Sequence, residues 1–245
     1  MAKILCPLPD HDFDVTEVSV PWKLLRRKGH EVIFSTERGG VAPAGDPLLL
    51  RGVLFGKLGA DPEPKAFYEE LLASPEFNAP LAWAALEVAS YAALLLPGGH
   101  APGMRQYLGS EVLQGRVSEF WKLQRPVGAI CHGVLVLARS KLDGRSVLHA
   151  SRTTCLTKQQ GRAAYFISAW KLGKYYRTYP AYVEDEVRAA LLDPARQFLR
   201  GPALPLARGT DTDDRPAFVV EDGRYLSARW PGDAYLFAKK LLDRL

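Results

Sequence analysis

Pro126-Val-Gly-Ala-Ile-Cys-His-Gly-Val-Leu-Val-Leu-Ala138 decides the fold. A short apolar run meets a cysteine, a glycine follows two residues on, and a second apolar run begins. A buried strand that turns sharply into a helix reads this way, because the turn needs small residues beside it, and Gly128, Ala129 and Gly133 supply them. Cys131 then heads the helix, where unpaired amides and the positive end of the dipole favour a thiolate and can hold an oxyanion. The stretch by itself equally allows a small buried hydrophobe, the commoner use of a free cysteine.

Upstream, Tyr91-Ala-Ala-Leu-Leu-Leu-Pro-Gly-Gly-His100 is another apolar run that ends in a glycine turn. Ligands of open parallel sheets bind outside the carboxyl ends of the strands, so both turns are expected to face one crevice. Gly98 and Gly99, without Cβ atoms, let backbone N–H groups approach a reacting carbonyl.

Strands are predicted at Lys3–Leu8, Glu31–Thr36, Tyr91–Leu96 and Val127–Ile130, with a closing hairpin of Ala217–Glu221 and Tyr225–Ser227. Helices are predicted at Val18–Lys28, Glu111–Leu123, Gly133–Arg139 and Ala234–Leu245. The alternation predicts a single α/β domain, flavodoxin-like, with a doubly wound and mostly parallel sheet and helices on both faces. Two stretches break the rhythm and read as insertions. Residues 39–90 contain helix-like segments at Pro64–Leu72 and Pro80–Val88 and suit a lid or edge. Residues 158–204 contain the aromatic, basic run Trp170–Pro180 and an amphipathic helix over Val183–Leu192, placed to cover the crevice. Trp170, Tyr175, Tyr176 and Tyr179 are expected to pack rather than to bind substrate. Near the end, Pro231-Gly232 makes a turn and Asp233 is expected to cap the last helix.

The pairing of Leu95-Leu-Pro-Gly-Gly-His100 with Gly128-Ala-Ile-Cys-His-Gly133 resembles the ThiJ/PfpI superfamily, the class I glutamine amidotransferase-like group. That group includes PfpI-type peptidases, glyoxalase and deglycase members and heat-shock chaperones. Glu17, four residues before Pro21, matches a family glutamate whose side chain meets the cysteine sulfur. The resemblance implies Cys131 as nucleophile, Glu17 as its carboxyl partner, and the backbones of Gly99 and His132 as oxyanion donors. His132 is the expected base by analogy with Cys-His pairs, His100 a second candidate, and His149 a more distant one. Burial and a neighbouring thiolate should raise the Glu17 pKa, so that the carboxyl keeps a proton and donates it towards sulfur.

Two features of the family pattern are missing. Ala101–Met104 lacks the acid that follows the glycine turn in the peptidases, and residues 144–182 contain no Asp or Glu to complete a Cys-His-Asp triad.

Composition narrows the class. The 245 residues are 47% hydrophobic, enough for one substantial core. Cys6, Cys131 and Cys155 form no disulfide framework and no metal-binding spacing, so neither cofactor nor metal is expected, and a reducing cytoplasm fits. The amino terminus does not read as a signal peptide, and no apolar run reaches the ~20 residues of a membrane span. The net charge of +5 is dispersed. Its densest cluster, Arg26-Arg27-Lys28, complements a helix C-terminus rather than marking nucleic-acid binding. A small-molecule substrate and a homo-oligomer, a dimer by family habit, are the expected partners.

Two classes of function remain. One is a cofactor-independent cysteine enzyme acting on a small electrophilic carbonyl or amide, of glyoxalase, deglycase or amidase type, with an intracellular peptidase as a variant. The other is a redox sensor or holdase chaperone without turnover.

Overall fold

A parallel sheet covered on both faces must be apolar on both sides of each strand, and the central strands here meet that requirement. In the computed structural model, which describes residues 1–54, 58–202 and 207–245, Ala93–Leu96 and Val127–Ile130 are buried at every position. The main sheet has seven strands. They are β1 (Lys3–Pro7), β2 (Glu31–Thr36), β3 (Leu81–Ala82), β4 (Ala93–Leu96), β5 (Val127–Ile130), β6 (Val219–Asp222) and β7 (Tyr225–Ala228). Their order is β6-β7-β5-β4-β1-β2-β3, and every pairing is parallel except β6 with β7. The chain winds outwards from β1 to β3, then restarts at β4 and winds the other way. The switch point, where ligands of such sheets bind, therefore lies between β1 and β4.

Helices among the described residues include α1 (Val15–Arg27), α2 (Pro62–Leu72), α3 (Glu111–Lys122), α4 (Val134–Arg139), α5 (Lys158–Leu172), α6 (Val183–Ala189) and α7 (Ala234–Leu242). One group packs α1 between α2 and α7, and the other packs α4 against α3 and α6. Gly128 shows how closely they sit, since a Cβ there would lie 2.8 Å from the Phe237 ring of α7. The buried apolar cluster extends from Ile4 to Leu241.

Several local expectations are corrected. Helix α1 begins at Val15, not Val18, because the Asp14 side chain accepts from the Thr16 and Glu17 amides and caps it there. Pro80–Val88 is not a helix. Leu81–Ala82 is the edge strand β3, followed by tight turns at Trp83–Ala85 and Val88–Ser90. A strand of two residues is too short to display alternation, so the apolar run imitated a helix. The fifteen-residue helix α5 fills much of the second insertion, and α6 stops at Ala189, short of Leu192. Asp233 does not cap α7. Its carboxylate is turned inward onto the fully buried Arg229, with Nε–Oδ2 and Nη2–Oδ1 both 2.9 Å, and it accepts from the Phe218 amide. The proposed insertions include residues 55–57 and 203–204, which lie outside the described residues. Among the described residues no helix is long and apolar enough to cross a membrane, and the three cysteines are free and buried.

Candidate active site

Cys131 directly follows β5 with φ +57°, the left-handed region that side chains seldom adopt, and a single tight turn, Cys131–Gly133, leads into α4. That is the strained elbow anticipated from the sequence. Its small residues have steric reasons. A Cβ on Gly133 would lie 2.1 Å from the Leu96 carbonyl oxygen, and one on Gly98 would lie 2.6 Å from the His132 nitrogen and 3.0 Å from Cys131 Cβ. The glycine turn after β4 is thus pressed onto the elbow after β5. Gly99, next in that turn, is equally crowded by Asp12, Asp14 and Met104.

Glu17 reaches this junction from the first turn of α1. Its Oε2 accepts the Gly98 N–H at 2.8 Å. Its Oε1 is buried without a conventional hydrogen-bond partner, and its carboxyl makes a looser contact with the Cys131 thiol. Pro21 has no N–H to return to the Glu17 carbonyl one turn back, so the helix is loosened where Glu17 leaves it. Burial, and then the charge of Asp14, push the Glu17 carboxyl well above the ordinary carboxylate range. Since Oε2 accepts from Gly98, the retained proton belongs on Oε1.

Cys131 is fully buried, and this overturns the expectation of a preformed thiolate. Burial first, then the Glu17 and Asp14 charges, push its thiol up, and the His132 backbone N–H offsets this only in part. Desolvation outweighs the helix terminus here, because α4 is short and water is excluded from the sulfur.

His132 Nδ1 lies 3.5 Å from Sγ, and its Nε2 lies 3.4 Å from the Thr178 hydroxyl. Thr178 donates its one hydroxyl proton to the His100 carbonyl at 2.5 Å, so its oxygen is left to accept from Nε2–H. The imidazole is then the Nε2–H tautomer, with the Nδ1 lone pair facing the thiol. Burial, His100 and Arg139 hold it neutral by depressing its pKa well below the usual value. His132 therefore bends back to the sulfur although it is adjacent in sequence. The place of a third, acidic partner is taken by the neutral hydroxyl of Thr178. Nothing in residues 144–182 marked that threonine as special.

His100 packs its ring edge-to-face on His132 at 4.7 Å and on Tyr176 at 5.5 Å, and burial lowers its pKa to about 4. Its Nε2 and the Tyr176 hydroxyl are buried without partners. The segment carrying Tyr175, Tyr176 and Thr178 lies against His100 and His132, tied down by Tyr175 to Asp46 at 3.1 Å and by Arg105 to the Thr178 carbonyl at 2.7 Å. Tyr179 lies under Arg139, while Trp170 is largely exposed on α5. His149 stands elsewhere, in the turn after Arg145–Ser146, where its carbonyl accepts from Leu192 and Gln197.

His100, Cys131 and His132 place ligand atoms within 4.8 Å of one another. A thiolate with two neutral imidazoles is a donor set that soft or borderline metals accept, so the absence of metal-binding spacing in the sequence did not exclude such a cluster in space.

The description "ThiJ/PfpI family-like" matches residues 8–202. A deglycase of Pyrococcus abyssi is 24% identical, over 95% of this chain and 93% of its own length. An uncharacterised protein of Schizosaccharomyces pombe is 27% identical, over 98% of this chain and 82% of its own. The solved glyoxalase III of Candida albicans superposes with a TM-score of 0.69 at 19% identity, covering 100% of this chain and 97% of that one. Sheet order, elbow and the family match over most of its length agree: this chain belongs to the ThiJ/PfpI family.

Proposed function

We propose that the protein is a cofactor-independent glyoxalase-type or deglycase-type enzyme in which Cys131 adds to the aldehyde carbon of a small 2-oxoaldehyde. The observation that carries this reading is one thiol held between a carboxyl that keeps its proton and a neutral imidazole with its lone pair turned inward. In the first step a C–S bond forms as the C=O π bond opens onto oxygen, His132 Nδ1 takes the thiol proton, and the Glu17 carboxyl gives its proton to that oxygen, leaving the hemithioacetal, a carboxylate and an imidazolium. Glu17 and His132 then move the C1 hydrogen to C2 as a proton, which converts the hemithioacetal into a thioester. Water hydrolyses the thioester to the 2-hydroxy acid and returns the thiol. The electrons balance within the substrate, and water is the only co-reactant. The backbone N–H of His132, with that of Gly99 as second donor, is assigned to the developing oxyanion.

A thiol that ionises only as it attacks suits this reaction better than redox sensing, which favours an exposed, already ionised cysteine. The relatives named deglycase and glyoxalase III support the reaction class. The test is formation of lactate from methylglyoxal without glutathione, by the native protein and by Cys131→Ser. Turnover lost in the variant is expected. Equal turnover, or none by the native protein with any 2-oxoaldehyde or glycated amine, overturns the proposal.

A further inference from the structure

We infer that the cleft lined by His100 and Tyr176 receives the substituent of the substrate, and that this substituent is neutral and apolar, an aryl ring or a medium-length alkyl chain. The inference rests on the reading of Cys131 as an aldehyde nucleophile and adds the substrate class. The cleft has a volume of about 180 Å³, and its apolar walls are Leu49, Val53, Ala164, Ile167, Trp230 and Pro231. Cavities of roughly 150 Å³ with aliphatic walls accept benzene, so a six-membered ring fits.

His100 links the cleft to the sulfur, since it lines the cleft and has a ring nitrogen within 4.8 Å of the Cys131 sulfur, and Tyr176 packs on it in the same lining; each carries a buried polar atom without a partner, His100 Nε2 and the Tyr176 hydroxyl. Buried polar atoms are rarely left unpaired, and these two are placed to meet the oxygens of a dicarbonyl head. Beyond them the lining carries one further buried polar atom without a partner, the Trp230 Nε1–H donor, and otherwise offers little to a polar substituent. Ser168 spends its hydroxyl on the Ala164 carbonyl at 2.7 Å. The two charged groups of the lining, Asp14 and Arg208, oppose each other electrostatically, and Arg208 also lies 3.4 Å from Asp61. A charged tail gains nothing there, and a polyhydroxylated one loses its hydration without replacement.

The experiment is a series of straight-chain alkylglyoxals, from methylglyoxal to hexylglyoxal, with phenylglyoxal added. Aldehyde reactivity is nearly constant along the alkyl members. Each buried methylene is worth about fourfold, so kcat/KM should climb at least tenfold before the cleft is full. Ala164→Phe, which fills the cleft, and Ile167→Ser, at a half-exposed position that risks little folding, should both flatten the climb. In parallel, ligand-observed NMR on Cys131→Ser compares 1-phenyl-1,2-ethanediol with 1,2-propanediol, which needs no chemistry. Tighter binding of the phenyl diol without turnover by the native protein upholds the cleft assignment and overturns the enzymatic reading. Turnover independent of chain length, unaltered in both variants and with equal binding of the diols, overturns the cleft assignment and leaves the enzyme.

Discussion

Glu17→Gln separates the geometry of the site's carboxyl from its proton. Glutamine keeps an oxygen for the Gly98 N–H, now 2.8 Å from Oε2, and sets an NH2 group where Oε1 has no partner. Burial raises the Glu17 pKa, so the native protein holds this proton well above the pH, about 4.3, at which the unfolded carboxyl releases it. Through that interval the native state binds more protons than the unfolded state, so native stability falls as pH rises towards the folded pKa. Each such unit costs about 1.4 kcal/mol, a cost glutamine does not carry. Urea unfolding at pH 5, 6, 7 and 8 should therefore show the variant gaining on the native protein by about 1.4 kcal/mol per unit until the folded pKa is passed. Glu17→Ala, which orphans the Gly98 N–H and opens a void, should follow the same pH trend as Glu17→Gln but lie about 1–3 kcal/mol or more below it at every pH. Both variants should lose about 10²- to 10⁴-fold in turnover. Parallel stability profiles of Glu17→Gln and native protein would show that Glu17 is ionised at neutral pH, and unimpaired turnover would remove it from the chemistry.

Burial also lifts Asp14, from 3.8 to about 6. Asp14→Asn, which can still cap α1, should abolish the loss of stability between those pH values, worth about 3 kcal/mol, and overlapping pH–stability curves would refute this. Asp233→Ala strands the fully buried Arg229 and should cost about 3–5 kcal/mol by denaturant titration, whereas a loss below 1 kcal/mol would mean that the cation finds water. Gly133→Ala drives a methyl group to 2.1 Å from the Leu96 carbonyl oxygen and should destabilise by more than about 1 kcal/mol, with slower alkylation or turnover at Cys131; unchanged values would mean that the elbow yields freely.

The elbow and the strands around it were legible because Val127–Ile130 and Val32–Phe34 are runs of apolar and small residues followed by glycine turns, and the strands Val127–Ile130 and Glu31–Thr36 were bounded correctly. Helix α5 was missed, although Thr157 and Gln160 form a capping box that announces its start. The edge strand Leu81–Ala82 is fixed by pairing with Ser35–Thr36, a long-range contact with no local signature. At the site, Cys131, His132, Glu17 and His100 do converge, because each lies at a strand end or a first helical turn that sequence marks well. Thr178 could not be found that way, since it arrives from an irregular segment and acts through one hydroxyl. The direction of the thiol pKa was misjudged because the helix terminus is visible in sequence and desolvation is not.

The strand that leads into Cys131 has its outer neighbour supplied by a stretch almost a hundred residues later: Tyr225–Ala228 pairs with Val127–Ile130, and the cover that carries Thr178 is also synthesised after the elbow. During synthesis β5 therefore waits as a bare parallel edge, with its cysteine uncovered, until the carboxy-terminal hairpin leaves the ribosome. A chain that stops before Tyr225 would expose that edge to other copies of itself, so truncation should yield aggregate rather than a weakened enzyme.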